Sequence, residues 1–415
     1  MWIHVFKIAY KVLLRRKFFT FVSLFGTGLT ILVLVVVAAM LDDLLAPRAP
    51  EVHLDRTLQV SRMAMRGEQR EWTGSPGFGF LDRYCRDLPH VTTMSIFTVG
   101  QDVATFVAGE KIVSQLRRTD AAYWRILDFD FLDGRPFGES EVTDGAPVAV
   151  LTSSAARRIF RDRDPVGASF DAGGQTLRVI GVVRDVPFFR SSAYADIWAP
   201  YTTAATEDYR TRLMGGFQAL LLVDSRARFD EIRAEFASRL PHVEMTDPEH
   251  YDRMDGGPWT RLEEVASEVA GTSDESERPR TGWFLGALGL LALLFMLLPA
   301  INLVNMTMSR IFERVSEIGV RKAFGASTGQ LVAQFVMENV LLSVVGGLIG
   351  LGLAFWVLHL INASGWIPNA DLVVNYRVVS YGLLLSMFFG VLSGAYPAWR
   401  MARLDPVQSL RGGER

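Results

Sequence analysis

The sequence predicts an α-helical membrane protein with four transmembrane helices and a large extracytoplasmic α+β domain between helices 1 and 2. Three observations predict it. First, the 415-residue chain is 49% hydrophobic with a mean hydropathy of +0.20, too apolar for an ordinary soluble protein and too polar to lie wholly in a bilayer. Second, its long apolar runs sit at the start and in the last third, separated by a hydrophilic interval from Asp42 to Arg280. Third, the basic residues gather on one set of flanks. These are Lys7, Lys11, Arg15, Arg16 and Lys17, then Arg310, Arg314, Arg321 and Lys322, then Arg400, Arg403, Arg411 and Arg415, whereas the short outer loop carries only Arg377. Cytoplasmic flanks carry the lysine and arginine excess, so both termini are expected inside and the large domain outside.

In chain order, 1–17 alternates apolar and basic positions at helical spacing and reads as an amphipathic helix on the inner membrane surface. The run 18–41 carries no charge and exceeds the roughly 20 residues that span the hydrocarbon core. It is too long for a signal peptide, and its exit through Asp42 and Asp43 lacks a small-residue cleavage pattern. Within 42–280, Arg56 to Met65 and Val91 to Val107 read as strands around a helix at Phe78 to Leu88. A second strand–helix–strand follows at Phe217 to Asp224, Phe229 to Leu240 and His242 to Thr246. Two such units predict a split, ferredoxin-like subdomain contributed by both ends of the region. The middle, about Gln115 to Tyr201, reads as a β-rich insert, and Met254 to Arg280 as a helical stalk returning to the membrane. Spans follow at 281–309, 328–360 and 378–395, with a cytoplasmic segment at 310–327, a short outer loop at 361–377 and a cytoplasmic tail at 396–415.

Several function classes are excluded by what the chain carries. A net charge of −2 gives no basic field for nucleic acid. The single cysteine, Cys85, cannot close an intrachain disulfide and reads as a small buried apolar residue. The six histidines are scattered without metal-ligand spacing, so no metal is expected. No nucleophile–base constellation suggests an enzyme.

The polar residues inside the spans divide into two groups. Asn302 and Asn305 lie near the cytoplasmic end of the second span, where amides bond across to a neighbouring helix. Glu338 is the only acid in the third span, and an intramembrane carboxylate is a functional candidate by default. A structural bond to the neighbouring cytoplasmic segment is the reading favoured over that default. Gly346 and Gly350, with Gly382, Ser386, Gly390 and Gly394 at four-residue spacing, read as close helix-packing positions. They do not form a phosphate loop, and the chain contains no G-x-x-x-x-G-K-[ST].

One stretch organises the rest: Glu313-Arg-Val-Ser-Glu-Ile-Gly-Val-Arg-Lys-Ala-Phe-Gly-Ala-Ser327. Glu317 and Arg321 stand at i, i+4 in the favourable order. Ile311, Val315 and Ile318 draw an apolar stripe. Gly325 can end the helix in a left-handed cap, and Ser327 with Gln330 reads as a capping box opening the next. On charge pattern alone, a solvated connector fits equally well.

The motif adds more. Glu-Ile-Gly-x-Arg-Lys-Ala-x-Gly-Ala just after a membrane helix resembles the coupling-helix signature of MacB/FtsX-type ABC transporter permeases. Thr119-Asp-Ala-Ala-Tyr-Trp124 with Asp133-Gly-Arg-Pro-Phe137 is similar to the start of a MacB-type periplasmic core domain. Val148 to Leu151, Ala156 to Phe160, Asp164 to Gly167 and Val179 to Val183 continue that pattern in order, and Tyr396 to Pro406 is similar to the family's C-terminus.

The resemblance implies a permease without a fused ATPase, acting as a homodimer or pseudo-symmetric dimer in the bacterial inner membrane. It implies two copies of a separate ABC ATPase subunit, on which ATP and Mg would bind, and no cofactor in this chain. Glu313, Arg314, Glu317, Arg321 and Lys322 would engage the ATPase, and Ile318, Gly319 and Ala323 would form the close-packed surface, with Gly325 closing the helix. Motion of the ATPases would pass through the spans to the outer domain, for export or efflux. A periplasmic membrane-fusion adaptor and an outer-membrane duct are the partners implied on the MacB side. Two alternatives stand beside this reading: a lipoprotein-releasing or FtsX-like activator of an envelope hydrolase, and a membrane-anchored ligand sensor without transport.

Overall fold

The computed structural model describes residues 17–107, 109–271, 278–313, 320, 324 and 327–402. In chain order the elements begin with helix α1 (Lys17–Leu45), strands β1 (Thr57–Val60), β2 (Met63–Arg66) and β3 (Glu71–Gly74), and helix α2 (Phe78–Tyr84). Then come β4 (Val91–Thr98), β5 (Gln101–Val107), β6 (Glu110–Thr119), α3 (Tyr123–Ile126), β7 (Phe131–Gly134), α4 (Glu139–Thr143), β8 (Val148–Thr152) and α5 (Ser153–Phe160). The outer region closes with β9 (Ser169–Ala172), β10 (Gln175–Val183), β11 (Ile197–Pro200), β12 (Phe217–Val223), α6 (Phe229–Arg239), β13 (Arg253–Gly256) and α7 (Arg261–Ala270). Three long helices follow: α8 (Thr281–Glu313), α9 (Thr328–Ser364) and α10 (Tyr376–Ala402).

These elements form two compact units. One holds Met1–Asp42, Leu285–Trp366 and Asp371–Arg415, and the other Asp43–Phe284 with Ile367–Ala370. Among the described residues, four helices are long and apolar enough to cross a membrane: Thr20–Leu45, Thr281–Ser309, Gly329–Ser364 and Tyr376–Ala395. Pro299 sits inside α8, which continues through it. Ser327 caps α9 with the expected box: the Gln330 N–H donates to Ser327 Oγ at 3.3 Å, and the Ser327 N–H donates to Gln330 Oε1 at 3.0 Å. Gly365 ends α9 at φ 68°, a left-handed conformation that costs glycine nothing.

The second unit is built on a ten-stranded mixed sheet in the order β1-β12-β4-β6-β11-β8-β10-β7, with β5 on β6 and β9 on β10. The β1-β12-β4 edge, antiparallel throughout and accompanied by α2 and α6, is the ferredoxin-like part. Strand β12 explains how the two halves share one sheet. Its run Phe-Gln-Ala-Leu-Leu-Leu-Val is apolar on both faces, as a doubly covered strand requires. Ala219, Leu221 and Val223 enter one core with Phe80, Ile232 and Phe236, whereas Leu220 and Leu222 enter a second with Phe97, Tyr123 and Trp198. In the insert, α5 carries the chain from β8 to the parallel strand β10. Ala149, Leu151, Ile159, Phe160 and Val179 form a third core there.

The sheet corrects several boundaries. The stretch Arg56 to Met65 bends at Ser61-Arg62 into β1 and β2, and β2 joins a separate three-stranded sheet in the order β13-β2-β3. Val91 to Val107 breaks at Val99-Gly100, where a Cβ on Gly100 would meet the Gln115 side chain at 2.5 Å. His242 to Thr246 is no strand. Pro241 opens a 3-10 turn, Leu240–His242, and the chain continues irregularly with Val243 tucked into the core. Of the expected stalk, Met254 lies in β13 and, among the described residues, the helix is α7, which Gly271 ends at φ 60°.

Candidate functional site

Of the expected ATPase-coupling residues, only Glu313 is described. It is exposed at the last position of α8. Arg314, Glu317, Ile318, Gly319, Arg321, Lys322, Ala323 and Gly325 lie outside the described residues. Between them, the Phe324 N–H donates to the Val320 carbonyl at 3.1 Å, the spacing of one helical turn. Phe324 is 88% exposed and Val320 is exposed with it.

Behind that turn, the helices of the first unit pack through small and polar residues. A Cβ on Gly350 would lie 2.3 Å from the Gly28 carbonyl oxygen, and one on Gly346 would lie 3.0 Å from Thr27 Cβ. Ser386 donates to the Ser343 carbonyl at 3.2 Å. A Cβ on Gly390 would meet Ser343, one on Gly394 would meet Asn339 and Val336, and one on Gly382 would meet Ile31 at a looser 3.8 Å. Small residues are what let helix backbones approach this closely.

The amide that bonds across helices is Asn339, which exchanges hydrogen bonds with Thr307 at 2.9 and 3.1 Å. Asn302 is half-buried and Asn305 exposed. Glu338 is buried and accepts from Gln334 at 3.3 Å on its own helix. On the far side of the spans, Asn362 holds the outer loop by bonding both the N–H and the carbonyl of Leu372 at 3.1 Å.

Sequence reasoning missed a second constellation, in the outer unit. The loop from Val186 to Ser192 follows β10 and shares bonds with five distant stretches. From the C-terminal turn of α1, Asp43 lies 3.3 Å from Arg190 Nη2, and the Ala46 carbonyl accepts from Nη1 at 2.7 Å. Arg190 is 1% exposed, and Asp43 is also buried. From the outer loop, the Pro368 carbonyl accepts from the Phe188 N–H, and Asn369 donates to the Val186 carbonyl, both at 3.2 Å.

The other three stretches meet at Ser192. Glu51 accepts its N–H at 2.9 Å, Gln59 accepts its hydroxyl at 2.8 Å, and Arg261 at the head of α7 reaches its hydroxyl at 3.4 Å. Tyr123 and Arg117 donate to its carbonyl. Arg261 also pairs with Glu51 and with Glu264, which accepts from Ser61. Burial pushes the Glu264 carboxyl up to about 7, against the pull of Arg261. Burial likewise lifts Asp120 to about 6 despite its bonds from Ile96, Ser95 and Tyr123. The only sequence sign was the acidic exit Asp42-Asp43, and it says nothing of a partner 147 positions away.

Comparison with known proteins gives two matches along the chain. Residues 20–239 match the family model of the MacB-like periplasmic core domain, and residues 289–406 match that of the FtsX-like permease C-terminal region. The "Uncharacterized ABC transporter permease YknZ" of Bacillus subtilis is 27% identical over 296 residues, covering 70% of this chain and 68% of that protein. The "Macrolide export ATP-binding/permease protein MacB" of Vibrio parahaemolyticus is 24% identical over 350 residues, covering 81% of this chain and 50% of that protein. The chain thus spans about half the length of that MacB relative. Among solved structures, the periplasmic region of MacB from Actinobacillus actinomycetemcomitans aligns with 52% of this chain and 94% of its own, with a TM-score of 0.38 and 16% identity.

Proposed function

The chain belongs to the family of ABC transporter permeases that join a MacB-like periplasmic core domain to an FtsX-like permease region, and from that premise we propose that it converts ATP-driven motion of separate ATPase subunits into movement of its outer domain, for export or efflux. One observation carries the reading. The segment Glu317-Ile-Gly-Val-Arg-Lys-Ala-Phe-Gly-Ala326 lies between two membrane-length helices, α8 and α9, inside the FtsX-like match. In this reading Glu313, Arg314, Glu317, Arg321 and Lys322 grip the ATPase, while Ile318, Gly319 and Ala323 let it approach closely. ATP and Mg belong to that partner, since no phosphate-cradling motif occurs in these 415 residues. The functional unit is two permeases with two ATPases, with both permease termini cytoplasmic and the large domain outside. The relatives named for macrolide export support export as the direction of work.

Two substitutions test the coupling role. Gly319→Leu places a large side chain on the contact face and should prop the ATPase away. Glu317→Arg replaces an intrahelical attraction with a repulsion worth only about 0.2–0.5 kcal/mol, too little to unfold the chain. Both variants should insert and dimerise normally yet lose at least about tenfold of ATP-dependent transport, a factor that corresponds to about 1.4 kcal/mol of lost coupling. Normal transport by both at normal expression discards the assignment, and robust ATP hydrolysis by the purified chain alone would do the same.

A further inference from the structure

We propose that the loop Val186 to Ser192 is the joint through which movement of the first span enters the outer domain, with Arg190 as its positioning residue. The inference rests on the lever reading above and names where the lever attaches.

The bonding pattern supports it. A lever needs a stiff connection at the point where it meets its load, and helix α1 has one in its last turn. The Arg190 guanidinium holds the Asp43 carboxylate and the Ala46 carbonyl together. Its planar fork can satisfy both acceptors from one fixed position, which a lysine ammonium does less well. The pair is buried on both sides, so water cannot substitute for either partner, and loss of Arg190 removes a charge-assisted bond from the interior.

Two residues further on, Ser192 ties the same loop to the sheet through Gln59 and Arg117, to α3 through Tyr123, and to the head of α7 through Arg261. Glu51 bonds both Ser192 and Arg261, so the chain leaving α1 and the helix preceding α8 share one acceptor. The outer loop is the third strut: Pro368 and Asn369 grip the loop at Phe188 and Val186. Asn369 adopts φ 52°, a left-handed conformation that asparagine tolerates and that aims its amide at Val186. Asp43, Ala46, Glu51, Arg261, Pro368 and Asn369 thus all reach the same seven consecutive residues or their direct partners, and that loop is itself tied to the core. The loop bonds mainly to remote segments.

Two arms test the proposal. In the first, hydrogen exchange is measured on the full chain in lipid nanodiscs without any ATPase. Arg190→Gln should raise exchange at the Phe188 and Ser192 amides and across 43–51 by at least about tenfold, with α9 and α10 unchanged. Unchanged exchange would show that Arg190 pins nothing.

In the second arm, a spin label at Ser238→Cys reports the distance between outer domains of the permease–ATPase complex with and without ATP. Wild type should show an ATP-dependent shift. Arg190→Gln and Asn369→Gly should hydrolyse ATP within about twofold of wild type while losing most of that shift, a split that general destabilisation would not produce. Asn369→Gly keeps the backbone conformation and removes one bond, so it decides the matter if Arg190→Gln fails to accumulate. Arg190→Lys should restore part of the shift. Arg184→Gln, which breaks only the exposed pair with Asp130, should leave everything unchanged. A full ATP-driven shift in both Arg190→Gln and Asn369→Gly overturns the joint. A wild-type chain that binds no ATPase fails the lever reading instead, while the exchange arm still judges the pin.

Discussion

Glu264 and Asp120 show what single residues contribute beyond packing. Both carboxyls are raised by burial, to about 7 and about 6. A carboxyl that holds its proton more tightly when folded stabilises the fold below its unfolded pKa, and that contribution is lost as pH rises through the folded value. Thermal stability of the outer domain should therefore fall between about pH 4.5 and 7, with each group contributing on the order of 1 kcal/mol per pH unit at most. Glu264→Gln should flatten that slope, read as melting temperature against pH for the full chain in nanodiscs; an identical slope in the variant would refute the effect. Neither residue was legible beforehand. Glu264 looked like one more acid on a polar helix, and its burial depends on Ser61, 203 positions earlier. Arg190 was hidden for the same reason, because spacing rules see only residues on the same element. Ser327 and Gln330 were legible, since a capping box is closed within four residues.

At the scale of elements, long apolar helices announce themselves and short strands do not. The apolar runs that became α1, α8, α9 and α10 needed only length and near-absence of charge, Glu338 being the one acid in α9's run. Strand β12 was readable at Phe217 to Asp224 and α6 at Phe229 to Leu240, while the burial of β12 on both faces emerged only in the structure. The false strand at His242 to Thr246 had the right composition but followed Pro241, which favours a turn. The break at Gly100 had a local sign, since an isolated glycine in a strand pattern marks close approach of another group.

Helix contact is the element-scale property most open to test. Gly350 and Gly28 bring α9 and α1 together at backbone distance. Gly350→Leu should force them apart at a cost of about 1–3 kcal/mol and lower the melting temperature of the spans, whereas Gly352→Leu, with open space at its Cβ, should be neutral. Equal effects of the two would show that the close contact contributes nothing.

For the whole molecule, the open quantity is which side of the membrane each segment faces. In a Cys85→Ser background, single cysteines at Arg226 and Asn369 should react with an impermeant thiol reagent in spheroplasts, and those at Ser316 and Gln408 only after the membrane is opened. Labelling of Ser316 from outside would overturn the four-span layout and the coupling assignment with it. The identity of the family was legible in Glu317 to Ala326 and in the ordered fragments of the core domain. The joining of the two outer halves into one sheet was not, because it is made by strands far apart in the chain.

That joining has a consequence for how the domain assembles. The chain leaves β4 at Val99 and returns at Gly216, where the Val99 N–H meets the Gly216 carbonyl at 2.9 Å. Strands β4 and β12 are therefore the arms of a hairpin whose loop is an entire folded subdomain. If that loop were slack, pairing the arms would carry the entropy of closing more than a hundred residues. Once the insert has folded, its two ends already stand a hydrogen bond apart, and β12 meets β4 as the second arm of a tight turn does. Assembly in that order lets the part of the domain made last in the chain find the part made first.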